Sequence, residues 1–314
     1  MDPSELRGVE PVAPGYYLVE GQNGGRYPHS HSLLVDAAEV GGGPGGFLLV
    51  DAGPGQVVLR RLLRRANVDL AFLTHWHEDH ISGVHALLRA GSRFACHPAD
   101  AHAVKDVAKI QDLYATTGTP VEGQFDELLR SLRLRDVPGD SLETVEDGQP
   151  LIPGGRLVAV HAPGHSTGHS CAWDPESALI FLGDVDLSSL GPWYGATDGD
   201  VDLFEATLER LARRDYDVAV SSHKGVVMGR TEIREALHRY AAVIPARDDR
   251  ILDLLSERRP REVRDLVGRG VVYSRYDNER EYLLLAEGVM IRQHLSRLER
   301  AGKVVRRNGG YVLA

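Results

Sequence analysis

The alternation of apolar and polar positions divides this 314-residue chain into stretches of different texture. Residues 16–19, 32–35 and 47–50 are short apolar runs of β type, separated by turn-forming segments such as Gly41-Gly42-Gly43-Pro44-Gly45-Gly46. Val58, Leu59, Leu62 and Leu63 recur at helical spacing and predict a helix, which the apolar strand 70–73 follows. A second β-rich stretch begins near Arg156, with runs at 157–160, 172–173 and 178–182, then a helix over 203–211 and a strand at 218–220. Strands and helices interleave twice, which predicts an α/β fold of two stacked sheets with helices outside, an αββα sandwich. Between the halves, residues 98–137 are helical and polar, with Phe125, Leu128, Leu129 and Leu132 on one face, and are placed as an insertion over the site mouth.

The tail has another texture. Residues 250–255, 260–267 and 281–300 predict three helices, the last with Ile291, Leu295 and Leu298 on one face. Val304-Val305 and residues 311–313 then flank the turn Asn308-Gly309-Gly310 as a hairpin. Three helices and a hairpin outline a winged helix, so the chain is divided into a catalytic domain, 1–245, and a winged-helix-like domain, 246–314. Charge supports the division: of a net −9, residues 1–245 carry 21 Lys/Arg against 34 Asp/Glu, and the tail 15 against 11. An acidic body gives no general support for nucleic-acid or anionic-membrane binding. Only the tail, with Arg258, Arg259, Arg261, Arg264, Arg306 and Arg307, leaves RNA open as a partner. No apolar run reaches the ~20 residues that span a bilayer, the start Met1-Asp2-Pro3-Ser4-Glu5 has no leader pattern, and Cys96 and Cys171 suit two buried thiols. A cytoplasmic protein without a membrane partner is expected, acting on a small molecule, with a homodimer through the protruding small domain left open.

Four clusters carry chemistry. Hydrolysis by a metal-activated water needs imidazoles and carboxylates converging on one or two cations with an open position. His75-Trp76-His77-Glu78-Asp79-His80 directly follows a predicted strand, so His75 and His77 project to one side while Asp79 and His80 point into an adjacent position. His161-Ala162-Pro163-Gly164-His165-Ser166-Thr167-Gly168-His169 sets a turn after another strand, with His165 as ligand and His169 as a group that orients a ligand. Asp184 after Leu182-Gly183 and His223 after Ser221-Ser222 end two further strands. Tyr194, in Pro192-Trp193-Tyr194-Gly195, is placed to offer its hydroxyl to a bound oxyanion, and His29 and His31 to line the entrance.

Taken jointly, His-x-His-x-Asp-His, the Pro-Gly-His turn, Leu-Gly-Asp and Ser-His closely resemble the metallo-β-lactamase superfamily over about residues 15–245. The resemblance implies that His75, His77 and His165 hold one metal and Asp79, His80 and His223 a second, with Asp184 bridging and Asp51 supporting the site from behind. It implies a pair of zinc ions, iron or manganese being alternatives for this ligand set, and a metal-bridging hydroxide as nucleophile, with Asp79 handling a proton. Asp184 stands where lactamases of this type commonly carry Cys, and residues 74–83 look more like glyoxalase II-type thioesterases. A small ester or thioester is therefore the expected substrate. The tail resembles that of the lactamase-β-like protein 2 group, which makes single-stranded RNA cleavage one alternative. A mononuclear iron persulfide dioxygenase and a DNA-binding regulator are the others.

Overall fold

A computed structural model describes residues 3–42, 45–256, 259–274 and 280–314. Met1, Asp2, Gly43, Pro44 and Arg258, used above, lie outside the described residues. Among the described residues, seven strands form one sheet in chain order: β1 (Val9–Ala13), β2 (Tyr16–Val19), β3 (Ser32–Asp36), β4 (Phe47–Val50), β5 (Val68–Leu73), β6 (Arg93–Cys96) and β7 (Leu142–Thr144). Five more form the second: β8 (Val158–His161), β9 (Ser170–Asp174), β10 (Leu179–Phe181), β11 (Val218–Ser221) and β12 (Gly225–Met228), in the order β12-β11-β10-β9-β8.

Alternation along the strands explains the layers. Phe72 of β5 faces a core that also holds Leu179 and Phe181 of β10, whereas Ala71 and Leu73 face a second core with Leu59 and Leu62 of the helix Gln56–Leu63. Ile180 and Leu182 point the other way, onto Phe204, Leu208 and Leu237 of the helices Val201–Ala212 and Arg230–Ala241. Period-2 side chains that are apolar on both faces can be buried only between two layers. The outcome is the expected αββα sandwich, with one core between the sheets and one beneath each helical layer.

Several elements escaped the sequence pattern. β7 is half exposed along its length and β12 leaves Met228 at the surface, so neither shows alternation. The helix expected over 250–255 starts earlier, at Val243–Leu255, because Pro245 falls in its first turn, where a missing N–H breaks no helical bond. The boundary drawn between 245 and 246 therefore lies inside a helix. The helix expected over 260–267 shortens to Val263–Leu266, and Arg261 instead bridges Tyr311. The helix Arg280–Arg300 and the hairpin of β13 (Val304–Arg307) and β14 (Gly310–Leu313) complete a small core around Ile251, Leu266, Ile291 and Leu295. Met290 and Tyr282 of that same long helix pack against the cores of the body.

Candidate metal centre

Each predicted ligand follows the carboxyl end of a strand. His75 and His77 follow β5, and the next turn of helix, Glu78–Ile81, carries Asp79 and His80. His165 lies after β8, Asp184 after β10 and His223 after β11, so parallel pairing of β10 with β11 brings the last two side by side. Glycine permits two of these turns. Gly164 has φ +129° and a Cβ there would lie 2.3 Å from the Phe204 Cα. Gly183 has φ +56°, and its Cβ would meet His169 Nε2 at 2.5 Å.

Two groups of ligand-type atoms result: His75, His77, His165 and Asp184 in one, Asp79, His80 and His223 in the other. His165 Nε2 lies 3.1 Å from His75 Nε2 and 2.8 Å from His77 Nδ1. Asp184 divides its carboxylate between the groups. Its Oδ2 is 3.2 Å from His165 Nε2, while Oδ1 is 3.0 Å from His80 Nε2 and 3.4 Å from His223 Nε2. Asp79 Oδ2 approaches the same two rings at 3.7 and 3.4 Å.

The backs of the His75, His80, His165 and His223 imidazoles are pinned by acceptors, which fixes their tautomers, whereas His77 Nε2 is buried with no hydrogen-bond partner. The Nδ1–H of His165 donates to the Trp193 carbonyl at 2.8 Å, and that of His223 to the Gly25 carbonyl at 2.7 Å. His80 donates from Nδ1 to Asp51 at 2.7 Å, and Asp51 also accepts from the Thr74 backbone N–H and hydroxyl. With its hydrogen so committed, the Thr74 hydroxyl accepts from His75 Nδ1 at 2.9 Å. His169 donates to the Ala162 carbonyl and accepts the Asp184 backbone N–H at 3.0 Å, so it aligns the carboxylate through its main chain. Nε2 lone pairs of four histidines thus converge on carboxylate oxygens with few hydrogens between them. His80 Nε2 and Asp184 Oδ1 are buried with no hydrogen-bond partner. A buried donor set of this kind fits divalent cations.

Electrostatics point the same way. Burial, then the neighbouring imidazoles His80 and His77, hold His75 well below the usual histidine range, and burial with His165 does so for His77. Burial lowers His80 and His223 too, but carboxylates outweigh it: Asp184, Asp51 and Asp79 raise His80, and Asp184 and Asp79 raise His223 to about 10. Protons and cations therefore compete for these two rings.

A cavity of about 550 Å³ opens in front of the groups, lined by His77, Asp79, His165, Asp184 and His223 together with Tyr27, Tyr114, Trp193, Tyr273 and Tyr282. Three expectations need correction. Tyr194 is fully buried and does not line this cavity: its hydroxyl accepts from Arg247 at 3.0 Å and bonds His294 Nε2 at 2.7 Å, within the junction to the tail. The adjacent Trp193 faces the cavity instead. Neither His29 nor His31 lines it, because the chain there presents Arg26 and Tyr27, while His31 is buried and accepts the Gly21 N–H. Glu78, which the sequence reading passed over, is fully buried and accepts hydrogen bonds from the Tyr27 and Tyr114 hydroxyls. Its place between two candidate ligands was the signal available.

The sandwich gathers these histidines and carboxylates into a candidate metal centre at one sheet edge. The sequence pattern of the metallo-beta-lactamase superfamily matches residues 29–223, and the chain belongs to that superfamily. Among similar curated proteins is an atrochrysone carboxyl ACP thioesterase of Paecilomyces divaricatus, 28% identical over 71% of this chain and 59% of that protein. Another of that description, from Pseudocercospora fijiensis, is 26% identical over 98% of this chain and 81% of its own. The chain spans about 60% of the length of the first three such relatives. A crystal structure of a metallo-beta-lactamase family protein from Thermus thermophilus has a TM-score of 0.73 at 22% identity, covering 97% of this chain and 100% of that one, which supports the fold. Among the described residues no helix is long and apolar enough to cross a membrane.

Proposed function

We propose that this chain is a dinuclear hydrolase of thioesters or esters. The observation that carries the two-cation reading is the split Asp184 carboxylate, one oxygen toward His75 and His165 and the other toward His80 and His223. In this reading His75, His77 and His165 hold one ion and Asp79, His80 and His223 the other. Zinc suits the mixed imidazole and carboxylate set, and iron or manganese would also bind it. Bound cations supply the electrophilic charge and the acidified water that such hydrolysis needs. The chain's own residues do the rest. Asp51, Thr74 and the Trp193 carbonyl orient the imidazoles, His169 aligns Asp184, the aromatic wall excludes bulk water, and Asp79, at the cavity surface, holds or passes the proton that the leaving group requires.

Thioesters are placed first because several similar curated proteins are named as ACP thioesterases and because the cavity wall is largely apolar. The division into a catalytic unit, 1–245, and a winged-helix-like unit, 246–314, belongs to the same proposal, as does a cytoplasmic location. Apart from the histidines, Arg26 is the cationic side chain among the described cavity residues, which gives an RNA backbone little to bind. A panel of acyl thioesters, a lactone, a phosphodiester reporter and single-stranded RNA, run beside elemental analysis, tests the reading. Thioester turnover lost in His77→Ala, with close to two equivalents of metal, is expected. RNA cleavage without ester turnover would replace it, and one equivalent of iron with negligible zinc would point to persulfide oxidation.

A further inference from the structure

The cavity in front of His77 and His165 is walled by rings from distant parts of the chain: Tyr27 near the start, Tyr114 in the helical insertion, Trp193 after Asp184, and Tyr273, Tyr282 and Leu283 in the tail. The rings continue outward from the histidines. Tyr114 and Trp193 stand 5.3 and 5.5 Å from the His77 ring, Tyr282 lies 5.7 Å from Tyr114, and Phe125 stacks behind Tyr282 at 5.2 Å and 19°.

The polar ends of the inner rings are engaged within the protein. Tyr27 and Tyr114 each donate to Glu78 at 2.7 Å, and the Trp193 indole N–H donates to the Tyr273 hydroxyl at 2.7 Å. These side chains therefore offer the cavity mainly ring faces and edges. Flat π-systems gain from such walls through offset or edge-on contact at centroid separations of roughly 4.5–7 Å. An alkyl chain gains burial without that contact, and sugars or phosphates would leave polar groups unpaired.

We propose that the cavity selects a planar aromatic acyl group, its carbonyl at the histidine groups and its rings among Tyr114, Trp193 and Tyr282, so that the tail sets acyl specificity. The proposal rests on the thioester reading for the bond that is cut, whereas the ring selectivity rests on the cage alone. Glu78, by accepting from both hydroxyls, holds Tyr27 and Tyr114 at the wall of this cavity.

The test uses full-length, metal-loaded protein and two pairs of probes. The first pair is the 2-naphthoyl and decanoyl thioesters of N-acetylcysteamine. The second is their ketone analogues, with methylene in place of sulfur, which bind but are not cut. For wild type, kcat/KM for the naphthoyl thioester is expected to exceed that for the decanoyl by about tenfold, with a similar ratio in ketone affinity by calorimetry. Tyr282→Leu should bring both ratios to within about threefold and Tyr282→Phe should keep them, because the ring and not the hydroxyl carries the effect. Equal treatment of the two acyl groups by wild type overturns the proposal, as does an unchanged ketone ratio in a Tyr282→Leu protein with a native circular dichroism spectrum. If neither thioester is cut but ketone binding still discriminates and responds to Tyr282→Leu, the thioester reading fails and the aromatic cage stands.

Discussion

At the scale of single residues, Asp51 illustrates how a carboxylate without a direct place among the candidate ligands can govern them. It sits at φ +63°, a left-handed conformation costly for a non-glycine residue, and the cost is offset by three hydrogen bonds to its side chain. One of these fixes the tautomer of His80. In Asp51→Asn the amide NH2 must face donors, either the Thr74 backbone N–H at the Oδ1 position or the Thr74 hydroxyl and the His80 Nδ1–H at the Oδ2 position, so the network that orients His80 is broken. Metal affinity at its group is expected to fall about 10- to 100-fold with the fold intact, measured by competition with a chromophoric chelator. Unchanged affinity would reduce Asp51 to a packing role. The thiols of Cys96 and Cys171, both pushed up to about 12 by burial, match the expectation of two buried thiols.

At the scale of elements, the loop after β8 is the least tolerant part of the site. Gly164→Ala would place a methyl against the backbone of the helix Val201–Ala212 in a conformation that disfavours L side chains. The variant is expected to bind less metal and to lose thioester turnover by at least about tenfold, since the displaced group is a candidate ligand; metal content after dialysis checks this. The same loop is clamped by Asp100, which accepts from the Ser166 hydroxyl at 2.7 Å and the Gly168 N–H at 2.6 Å. Burial pushes its carboxyl up to about 7 despite those bonds. A raised folded value means that the native state binds the proton more tightly than the unfolded chain. Stability should therefore decline as pH rises from about 4, the unfolded carboxylate value, through 7. Urea unfolding at pH 5 and pH 8 should show that decline in wild type and a flatter response in Asp100→Asn. A profile identical in both proteins would remove Asp100 as its source.

At the scale of the molecule, the tail and body are joined through Arg247, which donates to the Leu190 carbonyl at 2.7 Å and to Tyr194, and through His294, which bonds the Tyr194 hydroxyl at 2.7 Å and is held from within the tail by Asp248 at 2.6 Å. The loop bearing Trp193 is thus held from both sides. If cations bind only the folded state, chelation should lower stability by about 3 kcal/mol at a metal concentration one hundred times the dissociation constant. Calorimetry with a chelator and after zinc is restored should show a reversible fall in Tm together with lost hydrolysis. An unchanged Tm would argue against a centre that stabilises the fold. The candidate ligand residues and the sandwich were legible in the sequence because both obey local rules. Period-2 runs mark strands, and each candidate ligand lies within a few residues of a strand end. Tyr27, Glu78, Tyr114 and Tyr282 meet only through long-range packing, and the burial of Tyr194 depends on the tail helices pressing on its loop. No local pattern encodes such meetings. Sequence alone determined the chemistry that converges at the sheet edge, while tertiary structure decided the shape of the cavity before it, because a cavity is made by surfaces that approach from separate parts of the chain.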